Sequence, residues 1–299
     1  MFFAPNGRMR AVWRLALYVL ALVGGTAVAL GLLYPVALPL ARLLGLRPSL
    51  ESWLTLAAAV LAHVLVLRLV ERRPLADVGL GREAARPARL AGGFALGALA
   101  IGVPVALLLA AGQLRLDPSA PGSWAAAAAS LVGWRLAPAA LFEELLVRGY
   151  PFLVLRESVG ALPAVLLTSA VFGALHAQNP GATLASVTVV SLAGVFLSGV
   201  LLATRSLWAA WMAHLAWNAT LGAGFHAMIS GLAVPTPGYR VVDAGPDWLT
   251  GGVWGPEGGA AAAAGMLGAL GLLHLRASRA RTAGHRAAHA ALAPANRSA

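Results

Sequence analysis

The chain contains no cysteine and no lysine, and it has little charge of any kind. Without cysteine, disulfide frameworks, thiolate metal sites and cysteine nucleophiles are all excluded. Charged residues make up only 11% of the sequence, against about 25% in an ordinary soluble domain. A soluble protein of 299 residues needs a charged shell that these residues cannot supply. Acids are scarcest: 11 Asp and Glu stand against 22 basic residues, every one Arg, for a net charge of +11. A nucleic-acid binder gathers its basic residues on a soluble face with aromatic platforms. Here the arginines sit between long apolar runs, which argues against nucleic acid as a partner. Missing lysine beside abundant Ala, Gly and Arg reflects composition bias and carries no functional weight.

What the chain does have is apolar residue in excess, 59% of the total, which implies an outer surface facing lipid. A helix needs about 20 mostly apolar residues to cross the hydrocarbon core. Eight such stretches lie near 12–34, 52–70, 90–111, 134–155, 162–179, 182–203, 206–229 and 250–274. The first follows Arg8, Arg10 and Arg14 as a signal peptide would, but its length and the seven runs after it favour a retained helix. No lipidation box closes the chain, which reads Asn296-Arg297-Ser298-Ala299. Arginines cluster in alternate connections: the N-terminus; Arg72, Arg73, Arg82, Arg86 and Arg89; Arg156; Arg205; and Arg276, Arg279, Arg281, Arg286 and Arg297. The intervening loops hold only Arg42 and Arg47, then Arg115, then Arg240. By the positive-inside rule the expected architecture is an all-α polytopic membrane helix bundle of about eight transmembrane helices, with both termini cytoplasmic. No internal repeat is visible. Residues 1–120 read as N-terminal transmembrane helices with a basic cytoplasmic loop, 121–229 as a core, and 230–299 as an extracytoplasmic loop, a last helix and a basic tail. The Pro/Gly-rich run Pro235–Gly259 reads as irregular, and the tail from Ala277 as disordered or lying on anionic headgroups.

Ionisable groups are costly in a bilayer, so the few that fall inside apolar runs mark the place to look for function. The densest case is Leu141-Phe142-Glu143-Glu144-Leu145-Leu146-Val147-Arg148-Gly149. With Arg135 and Arg156 taken as the two interfaces, about 31 Å apart along a straight helix, both glutamates lie about 12–14 Å inside. Glu144 and Arg148 are spaced i,i+4 and can pair. Glu143 points about 100° away and has no partner in its own helix, the condition of a candidate general base. A shift of the span to 124–147 would instead make the group a helix-end charge cluster.

His176 ends the fifth apolar run in Phe172-Gly173-Ala174-Leu175-His176. His214 and Asn218 share one face of the seventh at i,i+4. Counted by helical rise, these residues reach the same layer as the glutamates from separate helices. Singly, an intramembrane His more often serves helix–helix hydrogen bonding; together, Glu143, His176, His214 and Asn218 form a site with a base, two imidazoles and an amide. His63 and His226 read as structural, and Trp208, Trp211 and Trp217 as packing, interface or substrate-contact residues.

Glu143-Glu144-x-x-x-Arg148, Phe172-x-x-x-His176 and His214-x-x-x-Asn218, in that order on successive membrane helices, resemble the CPBP intramembrane proteases. That family includes the type II CAAX prenyl endopeptidases and the bacterial Abi, bacteriocin-processing and immunity-type proteins. The resemblance covers roughly 134–225 and implies hydrolysis of a peptide bond in a membrane-associated peptide or protein. It implies that Glu143 activates water, that His176 assists as acid/base or orients that water, and that His214 and Asn218 stabilise the oxyanion, with Glu144 and Arg148 as a supporting ion pair. The family is commonly labelled a metalloprotease, and Glu143, His176 and His214 could hold Zn²⁺, although there is no His-Glu-x-x-His helix and a glutamate-only mechanism fits the same residues. The composition looks bacterial, so the expected setting is a multi-pass protein of the bacterial plasma membrane. A non-catalytic immunity or scaffold protein on the same fold is the alternative; a transporter is disfavoured by the absence of repeated halves with broken helices.

Overall fold

Runs of Ala, Leu and Val carry no polar side chain that competes for the backbone, so in an apolar setting they close their hydrogen bonds as helices. The computed structural model, which describes residues 3, 9–43, 50–234 and 237–292, follows that rule. Helix α1 (Ala11–Val28) runs through a π turn into α2 (Tyr34–Leu43), and α3 (Leu50–Leu65) ends in a π turn at Val66–Val70. Next come α4 (Pro87–Ala110), α5 (Trp124–Ser130), α6 (Ala137–Arg148) and α7 (Tyr150–Val159), with a π turn at Leu131–Leu136 joining α5 to α6. The remaining helices are α8 (Ala161–Leu175), α9 (Leu184–Thr204), α10 (Leu207–Ala219), the short α11 (Asp247–Thr250) and α12 (Ala260–Leu292). The topology markers Arg8, Arg47 and Arg297, the closing residues from Asn296, and Pro235 lie outside the described residues, as do the side chains of 280, 281 and 283–292.

Six helical segments among the described residues are long and apolar enough to cross a membrane: Ala11–Leu43, Leu50–Val70, Pro87–Ala110, Trp124–Val159, Leu184–Thr204 and Ala260–Arg279. The chain is therefore a multi-pass integral membrane protein. Two of the eight expected spans are shorter: 162–179 becomes the 15-residue α8, and 206–229 the 13-residue α10 with a π turn after it. The span expected at 134–155 is also different, being part of a longer helical segment that breaks at Gly149 between α6 and α7. Leu20, Leu32, Val36, Leu99, Leu107 and Leu166 are exposed on the outside of the bundle, where lipid tails would cover them.

Small residues set the closest helix approach. A Cβ on Gly93 or Gly97 of α4 would collide with the carbonyl oxygens of Ala209 and Ala213, so this Gly-x-x-x-Gly stripe is what lets α4 and α10 pack backbone to backbone. Ser206 caps α10, accepting from Ala209 N–H at 2.9 Å and donating to the Ala84 carbonyl at 2.6 Å. At the arginine-rich end, Arg14 bridges Glu71 (2.5 Å) and Glu157 (3.0 Å), and Arg73 bridges Glu157 (2.5 Å) and Asp77 (2.6 Å). Burial lowers the Arg73 pKa, but the hydrogen bonds and charges of Glu157 and Asp77 outweigh it and leave the pKa raised.

The connection expected to be irregular is ordered. Strand β1 (Leu114–Pro118) pairs antiparallel with β2 (Tyr239–Asp243), in the register Leu114 to Asp243. After α11 the chain makes two 3₁₀ turns, Gly252–Trp254 and Pro256–Gly258, and these fold inward: Trp254 and Glu257 are both buried. The last span therefore begins at Ala260 rather than near 250, because Gly251, Gly252 and Gly255 hold positive φ and Pro256 follows. Its helix continues past Ala277 to Leu292, where a tail disordered or lying on anionic headgroups was expected.

Candidate active site

The site is assembled from three helices and closed by a loop. On α6, consecutive carboxylates face different environments because successive helical residues point about 100° apart. Glu144 is fully buried and receives the Arg148 guanidinium (Nη1 to Oε1, 2.8 Å), a pair whose two side chains are both 0% exposed. Glu143 turns toward a cavity of about 370 Å³ and keeps 31% of its side chain exposed there.

His176 caps the C-terminus of α8, and its Nδ1 lies 2.8 Å from the Phe172 carbonyl oxygen. A carbonyl only accepts, so Nδ1 carries the proton and Nε2 is left facing Glu143 Oε2 at 4.0 Å. His214 on α10 repeats the arrangement. Its Nδ1 donates to Glu144 Oε1 at 2.9 Å, which turns Nε2 to Glu143 Oε2 at 3.7 Å. Both imidazoles are thus held by their δ nitrogens and present their ε nitrogens to one carboxylate oxygen. Phe172 is the shared platform: its ring lies 4.4 Å below the Arg148 guanidinium, 4.9 Å from the His176 ring and 5.8 Å from the His214 ring. Asn218, one turn after His214, lines the same cavity.

The structure thus brings together Glu143, Phe172, His176, His214 and Asn218 at one cavity, with Glu144 and Arg148 directly behind it. Other cavity residues were not singled out from the sequence. Glu257 accepts from Trp217 Nε1 (2.6 Å), from Ser230 Oγ (2.6 Å) and from the Ser230 N–H, forming an anionic wall opposite α6. Asn179 donates to the Ser230 carbonyl at 2.9 Å, and Ser230 itself holds a left-handed φ of 47°. Glu257 sits amid a Pro/Gly run with no periodic pattern, so only the fold reveals it. Arg135, read as an interface marker, lines this cavity from the π turn before α6. The expected depth rested on one straight helix through Arg135 and Arg156, and that helix does not exist.

His63, expected to be only structural packing, marks the break. Its Nδ1 donates to the Ala59 carbonyl at 2.8 Å, so its Nε2 accepts the Tyr150 N–H at 3.0 Å and caps the start of α7. A Cβ on Gly149 would run into that imidazole, so the close approach requires glycine.

The donors expected for zinc stand slightly wider apart than a bound ion would hold them. A tetrahedral ion about 2.0–2.1 Å from each ligand needs them roughly 3.3–3.5 Å apart, and the gaps here are 3.7 and 4.0 Å. Among the described residues no group of three His, Asp or Glu is arranged to hold a metal.

A bundle of helices too apolar for water, with a polar carboxylate-and-imidazole cavity between them, is that of an integral membrane protein. Residues 123–220, about a third of the chain, match the family described as type II CAAX prenyl endopeptidase Rce1-like. The Rce1-like proteins are membrane proteases, and all seven motif residues fall inside the matched segment. No curated protein and no solved structure matches the chain.

Proposed function

We propose that this protein is an intramembrane endopeptidase that hydrolyses a peptide bond in a membrane-associated peptide or protein. The observation that carries the reading is the convergence of two δ-anchored imidazoles on Glu143 Oε2 at 3.7 and 4.0 Å, gaps too long for direct hydrogen bonds, at a cavity with room for a water beside the partly exposed Glu143 carboxylate. Glu143 takes a proton from that water as hydroxide adds to the scissile carbonyl. The oxyanion accepts from Asn218 and from His214, whose imidazolium form is stabilised by Glu144 at Nδ1. Collapse of the tetrahedral intermediate breaks the C–N bond, and the proton passes through Glu143 and His176 to the leaving amine. Arg148 offsets the charge of the second carboxylate where Glu144 holds His214.

None of these steps uses a metal. Cleavage is expected to persist after dialysis against a chelator; loss that Zn²⁺ restores would instead make Glu143, His176 and His214 ligands and move the base elsewhere. The substrate we favour is a leader peptide, a bacteriocin precursor or a membrane-bound regulator, in a bacterial plasma membrane with both termini in the cytoplasm.

The test begins with Glu143→Gln protein used as a trap in cells, with mass spectrometry of what co-purifies. The captured peptide is then offered to purified wild type, Glu143→Ala and His176→Ala. Loss of a general base or acid lowers the rate by about 10²–10⁴-fold, and both variants should stay folded because neither residue is fully buried. Unchanged cleavage by Glu143→Ala would overturn the enzymatic reading in favour of a non-catalytic scaffold.

A further inference from the structure

The proposed hydrolysis leaves one charged residue of the active cavity without a task. Glu143 acts as the base and three donors hold Glu257, but Arg135, the one arginine on the cavity wall among the described residues, takes no part. It heads a stripe that runs along one side of the cavity through Ala139, Phe142, Glu143 and Leu146, the spacing of a single helical face. Arg135 lies eight positions before Glu143, about 12 Å at helical rise.

The charge around Arg135 says what it can receive. It is exposed, and among the described residues it makes no ion pair. The other formal charges on the wall are the carboxylates of Glu143 and Glu257. An acidic group entering the cavity is repelled by both unless a guanidinium receives it, and a guanidinium takes a carboxylate through two parallel N–H donors. The sparse arginines of the intervening loops, Arg42, Arg115 and Arg240, are exposed as well, but none of them lines the cavity. That placement, in one stripe with the base, sets Arg135 apart from arginines that only meet lipid headgroups.

The geometry points to Arg135 as a specificity-determining residue that receives a carboxylate of the substrate. An extended peptide advances about 3.3 Å per residue, so the group it reads lies about three to five residues from the scissile bond. An Asp or Glu side chain and the peptide's own C-terminus offer the same chemistry, and experiment has to separate them. Calling the bound peptide a substrate rests on the proteolytic reading, so binding and cleavage are measured apart.

The probes are dye-labelled, N-terminally palmitoylated synthetic peptides. One series has an amidated C-terminus and a single Asp moved along the chain, each peptide with an Asn twin. The other has no Asp and ends in a free carboxylate at different lengths, each with an amidated twin. Binding to full-length Glu143→Gln protein in neutral detergent is read by fluorescence anisotropy, and cleavage by wild type is read by mass spectrometry. The Glu143→Gln protein should bind the carboxylate member of a correctly spaced pair at least about tenfold tighter, equivalent to about 1.4 kcal/mol. Adding R135Q should remove that preference, R115Q on β1 should keep it, and R135E should favour Lys in place of Asp. A preference in the first series names an acidic side chain as the group; one in the second names the C-terminus. No preference in either series, or one that survives R135Q, would overturn the proposal. So would an equal loss in R115Q, and so would equal weakening of both twins by R135Q, which would assign Arg135 to the cavity rim or to headgroups. Preference without cleavage by wild type would sink the proteolytic reading and leave the carboxylate site standing; cleavage without preference would do the reverse.

Discussion

The active cavity has two walls built on different principles. One wall is helical: Glu143 and Glu144 on α6, His176 at the end of α8, and His214 with Asn218 on α10. Its side chains are aimed by i,i+4 geometry and by short bonds within or between helices, such as His176 to Phe172 and His214 to Glu144. The facing wall is made of loop, where Glu257 gathers Trp217 and Ser230 across 40 and 27 residues of sequence. Both walls present a carboxylate to the same cavity, yet their settings differ. Glu143 has an oxygen with no protein partner, whereas three protein donors hold Glu257. The contrast separates a carboxylate poised to act from one occupied in holding structure.

The comparison breaks most sharply at the ion pair behind the helical wall. Arg148→Ala leaves Glu144 buried with His214 Nδ1 as its one remaining partner, and should cost up to about 3–5 kcal/mol in thermal or denaturant unfolding, as should Glu144→Ala by leaving Arg148 without its carboxylate. Wild-type stability in either would mean that the pair is not buried. The loop wall should be weaker. Glu257→Gln keeps the volume but disrupts a set of three donors, and should cost about 1–3 kcal/mol; in the trapped-substrate assay it should alter KM more than kcat. A kcat loss as large as that of Glu143→Ala would make Glu257 part of the chemistry and erase the distinction drawn here. The smallest effect is expected at the helix break, where His63→Ala removes one hydrogen bond to the Tyr150 N–H and opens space at Gly149. A loss of about 1 kcal/mol or slightly more is expected in the same unfolding experiment, and restoration by Asn, which can also accept, would identify the cap as the cause.

Two of the three helices that build the helical wall, α6 and α10, had legible faces because a helix converts spacing into direction. Glu144 and Arg148 had to share a face, Glu143 had to leave it, and His214 had to lie over Asn218, whatever surrounded them. The number and length of the crossings were less legible. Apolar runs at 162–179 and 206–229 look like spans by composition, but α10 is covered inside the bundle and can be shorter than the hydrocarbon thickness, while α8 keeps an exposed apolar face and stops after 15 residues at His176. Straight-helix arithmetic from Arg135 to Arg156 cannot anticipate the break at Gly149, which depends on His63 arriving from α3.

Sequence alone determined that this chain belongs in a membrane, since 11% charged residues cannot clothe a soluble surface, and it determined which few charges lie where charge is costly. Local chemistry suffices for both conclusions: transfer energies act residue by residue, and helical periodicity is a property of the backbone. Only the tertiary structure decided that His176 and His214 both turn their ε nitrogens to Glu143, that Glu257 closes the cavity, and that Arg135 lines it. Those facts depend on contacts between segments far apart in the chain, and no spacing along a single helix records them.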